Sequence, residues 1–342
     1  MKKPKVLIEM KHGLGDCVCT LPLVRSVRAA LPDAYIALIV NGPANQAIFE
    51  HSGIPIDRYY YLSLKGRKRR ETLKTLWQLR REHFDYGLLA VMTPARKGRM
   101  LLRMLGVRHA LGEQYLGRAF NEDGGQEHCA RRELGLLAAW PLPQGDPVPQ
   151  LFVSDEERQA VRSYFSKGGK RNIVVNIGGG GTFPFEGKSR IVKSWPHMAA
   201  FVHALAGQEG VHVILLGAGL ERPLLRDYED LLGKDGGDVI SAVGETSIVE
   251  SLALLAEADL SIGVDTGMQH IAAALGTPTI SVFGPSDPHV YAPLAENARV
   301  VKGHVPCQYC FPHEQVFRCQ DQRCLSGVRI EDVLDAVREV LL

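Results

Sequence analysis

Long apolar runs are what this sequence most clearly lacks. Nothing approaches the roughly 18 consecutive apolar residues that a membrane helix requires, and the opening MKKPKVLIEM carries too few for a secretory signal. A spanning helix is excluded, and a cytoplasmic location is expected. No low-complexity tract or internal repeat interrupts the 342 residues, and 45% hydrophobic with 23% charged residues is the make-up of a globular chain. Cysteine is scarce. Seven is an odd number, spread unevenly, and in a cytosolic chain that argues for thiols or a metal and against a disulfide framework. The three-glycine dinucleotide fingerprint is incomplete at GLGD, residues 13–16, and the chain lacks the accompanying ribose-binding acid, which counts against a nicotinamide-dependent enzyme.

What is present suits two domains, each long enough to bury its own core. The net charge of +2 hides an asymmetry: residues 1–150 hold 23 Lys and Arg against 14 Asp and Glu, and the remainder 17 against 24. The basic half points to an anionic partner. Apolar runs at 5–10, 35–40, 58–62 and 86–91 read as strands, alternating with helical periodicity at 16–31, 43–51, 67–83 and 97–105. A loop at 112–125 and a helix at 126–139 follow. Four prolines in PLPQGDPVPQ, residues 141–150, mark a boundary between domains 1–150 and 151–342. The second half restarts the pattern, with strands expected at 172–177, 212–216, 239–243, 258–264 and 279–283. Its helices are expected at 155–165, 195–206, 220–232, 248–256 and 330–342, the last after a cysteine-rich loop, 303–327. Repeated βα units predict an α/β protein with parallel sheets covered on both faces.

The densest information lies in DTGMQHIAAALGTPTISVFGPSDP, residues 265–288. A strand ends before Asp265 and a helix follows, so unpaired amides and the positive end of the helix dipole face the carboxyl ends of the strands. A phosphate suits that place. Thr266 offers a hydroxyl, Gly267 lets a ligand approach the backbone, and Asp265 can accept hydrogen bonds from sugar hydroxyls. Elsewhere each signal has a plain alternative. Asp16 in GLGD reads as a helix N-cap, Lys193 in SRIVKSWP as a solvated loop cation, and Glu221 as a first-turn acid favourable to the helix dipole. His270 reads as a core histidine on a helix face. Lys65, Arg67, Lys68, Arg69 and Arg70 read as a solvated helix start, and without interleaved aromatics they give no sign of nucleic-acid binding. Cys307, Cys310, Cys319 and Cys324, spaced C-x2-C-x8-C-x4-C, suit a structural zinc or iron, or are free thiols.

Together, the strand-end Asp265, Thr266-Gly267, His270 and AAALGTPTISVFGPSDP resemble the signature of the family 9 glycosyltransferases, the ADP-heptose heptosyltransferases of lipopolysaccharide assembly. The resemblance spans nearly the whole chain and is strongest over 244–288. It implies a GT-B fold, two Rossmann-like domains facing a central cleft, and inverting transfer of heptose from ADP-heptose to a lipopolysaccharide-core or related anionic saccharide acceptor. On that likeness Asp16 is the general base, with Gly13 and Gly15 shaping the acceptor turn. Lys193 and the amides of Thr266, Gly267 and Met268 hold the diphosphate, so no cofactor is expected for catalysis. Asp265 holds the sugar, Glu221 the ribose, and the GETS turn at Gly244 borders the base, with His270 nearby. The basic run at 65–70 grips the acceptor's anionic groups, and peripheral association with the inner membrane face is expected. Alternatives within the class are another nucleotide sugar or a protein acceptor; from other classes, a nicotinamide-dependent α/β enzyme or a metal-cluster protein.

Overall fold

The computed structural model describes residues 3–62, 69–113, 127–140, 142–166, 168–179, 183–185, 188–190, 193–232, 238–311 and 313–341. It divides into two compact units, Met1–Phe152 and Val153–Leu342. In the first, five strands β1 (Lys5–Met10), β2 (Tyr35–Val40), β3 (Arg58–Tyr61), β4 (Tyr86–Leu89) and β5 (His109–Leu111) form one sheet in the order β3-β2-β1-β4-β5, all parallel. Strands β1 and β2 are each buried along five successive residues, as expected where helices cover both faces. One face packs Leu79, Leu101, Leu102 and Leu105 from helices Arg69–Arg81 and Ala95–Leu105 onto Leu7 and Ile39 of the sheet.

The second unit carries β6 (Arg171–Asn176), an antiparallel hairpin of β7 (Phe183–Phe185) and β8 (Lys188–Arg190), then β9 (Val211–Leu216), β10 (Val239–Ser241), β11 (Leu260–Val264), β12 (Thr279–Phe283) and β13 (Ala298–Lys302). Its parallel sheet runs β10-β9-β6-β11-β12-β13, the doubly wound order of a Rossmann fold. Strand order reverses beside β1 in the first unit and beside β6 in the second. Those two reversals leave crevices at the carboxyl ends of β1 and β4, and of β6 and β11, which is where open α/β sheets receive ligands. Among the described residues no helix is long and apolar enough to cross a membrane.

Several local expectations need correction. The first helix is Leu14–Ala30, so Gly13 is its N-cap and Asp16 sits in its first turn. Where an α-helix was expected at 220–232, Gly219–Tyr228 forms 3-10 turns around Pro223, which has no amide to continue an α ladder. The helix expected from Trp195 begins at Met198, because Trp195 turns into the core and donates its indole N–H to the Val328 carbonyl at 3.0 Å. Strands β5 and β13, the hairpin, and the short helices Pro288–Tyr291, Glu314–Arg318 and Arg323–Ser326 had no counterpart in the sequence reading.

Candidate active site

Strand β11, LSIGV, is buried throughout and is followed by Asp265, whose amide donates to the Val282 carbonyl of β12 at 3.1 Å. The chain then passes through Thr266, extended at φ −139°, into helix Gly267–Ala274. Thr266 is the N-cap by position, yet its side chain caps nothing: Oγ1 is buried with no protein partner, and the first helical amides are not taken by it. An uncapped helix start beside a strand end is an anion site in waiting. Lys193 stands at the same strand end. Its Nζ lies 2.5 Å from Asp265 Oδ2, with side chains 15% and 7% exposed, and 4.5 Å from the centre of the Phe311 ring. The reading of Lys193 as a solvated loop cation is therefore overturned. His270 lies buried on the same helix.

Neighbouring strand ends close the same edge of the sheet. Glu221 follows β9 and accepts the Ala218 amide at 2.6 Å, so it does cap its 3-10 turn. Its carboxylate also leans over Gly178, just past β6, where a Cβ would fall 1.5 Å from Oε1 and would have to push the carboxylate aside. Burial pushes the Glu221 carboxyl above its ordinary range, partly offset by the Ala218 N–H. Gly244 donates to the Gly217 carbonyl at 2.9 Å, and its own carbonyl accepts from Arg222 at 2.8 Å, which ties the GETS turn to the end of β9. Asn176, at the tip of β6, and Ser286, in the turn after β12, are buried with side-chain polar atoms lacking a protein partner. Sequence reasoning singled out neither: Asn176 belongs to no motif, and Ser286 stood only as one residue of the GPSDP turn, with no role of its own.

In the first unit, Asp16 Oδ2 accepts the Gly13 amide at 2.9 Å, which fixes the carboxylate against the turn after β1. The turn is itself anchored. The His12 carbonyl accepts from Asn45 at 3.0 Å, and its ring Nε2 donates to Thr93 Oγ1 at 2.8 Å, whose hydroxyl in turn donates to Glu9 at 2.5 Å. Below lies Glu133, buried, with Oε1 accepting the Val91 amide at 2.8 Å. Burial pushes its carboxyl well above the usual range against the pull of that amide, and the charges of Asp16, Glu113 and Glu9 add to the rise.

Of the basic run, Lys65, Arg67 and Lys68 lie outside the described residues, as does the side chain of Arg69, and Arg70 is exposed. Beyond it, helices Arg69–Arg81 and Ala95–Leu105 turn Leu73, Trp77, Met100 and Met104 outward at 43% to 65% exposure, among exposed Lys74, Arg96 and Arg103.

The four clustered cysteines do not bear out a metal site. Cys307 is exposed, Cys310 and Cys319 are half-buried and Cys324 is buried. Among the described residues, no three Cys, His, Asp or Glu side chains are placed to hold one ion. Burial pushes the Cys310 thiol up and that of Cys324 to about 11, each raised further by its neighbours.

The family model for glycosyltransferase family 9 (heptosyltransferase) matches residues 74–320. The chain belongs to that family. Lipopolysaccharide heptosyltransferase 2 of Salmonella typhimurium is 30% identical over 181 residues, 49% of this chain and 47% of that one, so the chain spans about half the length of that relative. Lipopolysaccharide heptosyltransferase 3 of Escherichia coli is 26% identical with 96% of each covered. Two solved structures share the fold: a family 9 glycosyl transferase from Veillonella parvula (TM-score 0.78, 19% identity, 100% and 98% covered) and E. coli ADP-heptose lps heptosyltransferase II (0.74, 22%, 98% of each). The family 9 fold of this chain is thus GT-B, built from two Rossmann-like units.

Proposed function

We propose that this chain is an inverting glycosyltransferase that moves heptose from ADP-heptose to a lipopolysaccharide-core or related anionic saccharide acceptor. The observation that carries the reading is the pairing of Lys193 with Asp265 beside the uncapped helix Gly267–Ala274. The donor's diphosphate rests on Lys193 and the amides of Thr266, Gly267 and Met268, while Asp265 accepts hydroxyls of the sugar. Glu221 takes the ribose, Gly244 and His270 border the nucleoside, and Gly13 and Gly15 shape the acceptor turn. As the bond from the anomeric carbon to the phosphate oxygen breaks, negative charge grows on the departing ADP, and the Lys193 ammonium offsets it. The acceptor hydroxyl attacks from the opposite face and gives its proton to Asp16, so a new glycosidic bond forms with inversion and ADP leaves. A relative of this fold, E. coli heptosyltransferase WaaC, has been solved with ADP, which supports the choice of nucleotide.

The acceptor side draws on the basic first unit and the run at 65–70. The outward Leu73, Trp77, Met100 and Met104, ringed by cations, favour an anionic lipid surface, so the acceptor is met at the inner membrane face. The four cysteines enter as thiols, and no step passes through a metal. A thermal-shift series tests the donor: ADP and ADP-heptose should raise the melting midpoint more than UDP or NAD. NAD giving the largest shift would replace this reading with an oxidoreductase.

A further inference from the structure

We propose that Phe311, delivered by the cysteine-rich loop, is a positioning residue that holds the Lys193 ammonium in place for the diphosphate of a nucleoside diphosphate. This rests on the reading of Lys193 given above. Lysine has a long, freely rotating stem, and one carboxylate contact leaves its head able to swing. Here two groups hold it: Asp265 Oδ2 at 2.5 Å and the Phe311 ring face, 4.5 Å from Nζ to centroid. The two differ in what they do to an incoming anion. A second carboxylate would compete with the diphosphate and repel it, whereas a ring face attracts the cation through its quadrupole and leaves the charge unneutralised.

Phe311 is itself fixed. Its amide donates to the Pro285 carbonyl at 3.0 Å, in the turn after β12, and the Tyr291 ring meets it edge-on at 5.8 Å. Further along the loop, Leu325 packs on Gly284, where a Cβ would come within 2.4 Å of its Cγ, so this turn admits no side chain. The segment bearing Lys193 is tied to the same loop, through Trp195 to the Val328 carbonyl at 3.0 Å and through His197 Nε2 to the Ser326 carbonyl at 2.9 Å. The loop that carries Cys307, Cys310, Cys319 and Cys324 thus serves as a strut between the Lys193 segment and the turn after β12, with Phe311 at its contact point.

The test titrates ADP and adenosine into wild type, Phe311→Leu, Phe311→Tyr, Lys193→Met and the Phe311→Leu/Lys193→Met double variant by calorimetry, with a melting curve for each. Phe311→Leu should weaken ADP roughly three- to tenfold, the range for loss of a partly desolvated cation–π contact, and leave adenosine, which has no phosphate, unchanged. Phe311→Tyr should restore ADP binding, and Phe311→Leu should add nothing once Lys193 is replaced. Should Phe311→Leu melt below the assay temperature, Phe311→Met, apolar and without a ring face, takes its place. Equal weakening of ADP and adenosine, or an undiminished loss in the Lys193→Met background, overturns the proposal. Loss of ADP binding in Lys193→Met with none in Phe311→Leu removes this inference alone; wild-type ADP binding by Lys193→Met removes the reading of Lys193 with it.

Discussion

Replacing Glu133 by glutamine asks whether the acid beneath the first unit's ligand edge is neutral in the folded protein. The side chain is 3% exposed, Oε1 accepts the Val91 amide, and Oε2 is buried with no protein partner. Burial is the largest influence on its carboxyl and raises it well above its ordinary 4.5. A folded-state value above the unfolded one means that the folded protein holds the proton more tightly. The resulting stability is complete below about pH 4.5 and is lost as pH rises toward the folded value, at up to about 1.4 kcal/mol per pH unit. Glutamine keeps the volume and an acceptor for Val91 but never ionises. The variant should therefore match wild type near pH 4.5 and gain on it as pH rises, by at most about 1.4 kcal/mol per pH unit for as long as the wild-type carboxyl keeps its proton. Thermal or urea denaturation at pH 4.5, 5.5 and 6.5 measures the difference. A gap that does not grow with pH would refute the neutral carboxyl.

Asp16→Asn retains an oxygen for the Gly13 amide, so folding should change by under about 1 kcal/mol while turnover falls on the order of a hundredfold with ADP binding kept; near-normal turnover with an intact melting curve ends its assignment as base. Gly178→Ala must displace the Glu221 carboxylate, since the new Cβ would lie 1.5 Å from Oε1, and calorimetry should show ADP affinity down by about tenfold with adenosine affected equally. Unchanged affinity for both would remove Glu221 from the ribose site. Charge reversal at Lys74 and Arg103 should cut co-sedimentation with anionic phospholipid vesicles by about tenfold or more, and leave ADP binding intact because the donor groups lie in the second unit. Binding to vesicles that ignores these changes contradicts the lipid-facing surface.

How much was legible in the sequence varied with the physics of each element. Strands β1, β2 and β12 start and stop where the apolar runs do, because a strand buried on both faces has no reason to interrupt its hydrophobicity. Strand β13, ARVVK at the sheet edge, is mostly half-exposed and so carries no such run. The places of Asp265, Thr266 and Asp16 beside strand-turn-helix junctions were readable because such a junction is a local pattern. Their surroundings were not. Phe311 reaches Lys193 from 118 positions away, and Glu133 comes to lie under the turn holding Asp16 from a separate helix. Such contacts are set by topology, and neither residue has neighbours in sequence that announce it. The cysteine spacing is the opposite case: a pattern that fits a metal on paper folds with its thiols differently buried, and among the described residues no three of them meet at one point.

The central claim is a transfer, and it is tested most directly by incubating the purified protein with ADP-heptose and a heptose-deficient lipopolysaccharide core, then following ADP release and the acceptor's mass and anomeric configuration. The account predicts one heptose added per acceptor with inverted configuration and one ADP released. Release of ADP without glycosylation of any saccharide acceptor, or transfer from another nucleotide sugar while ADP-heptose stays intact, would contradict it.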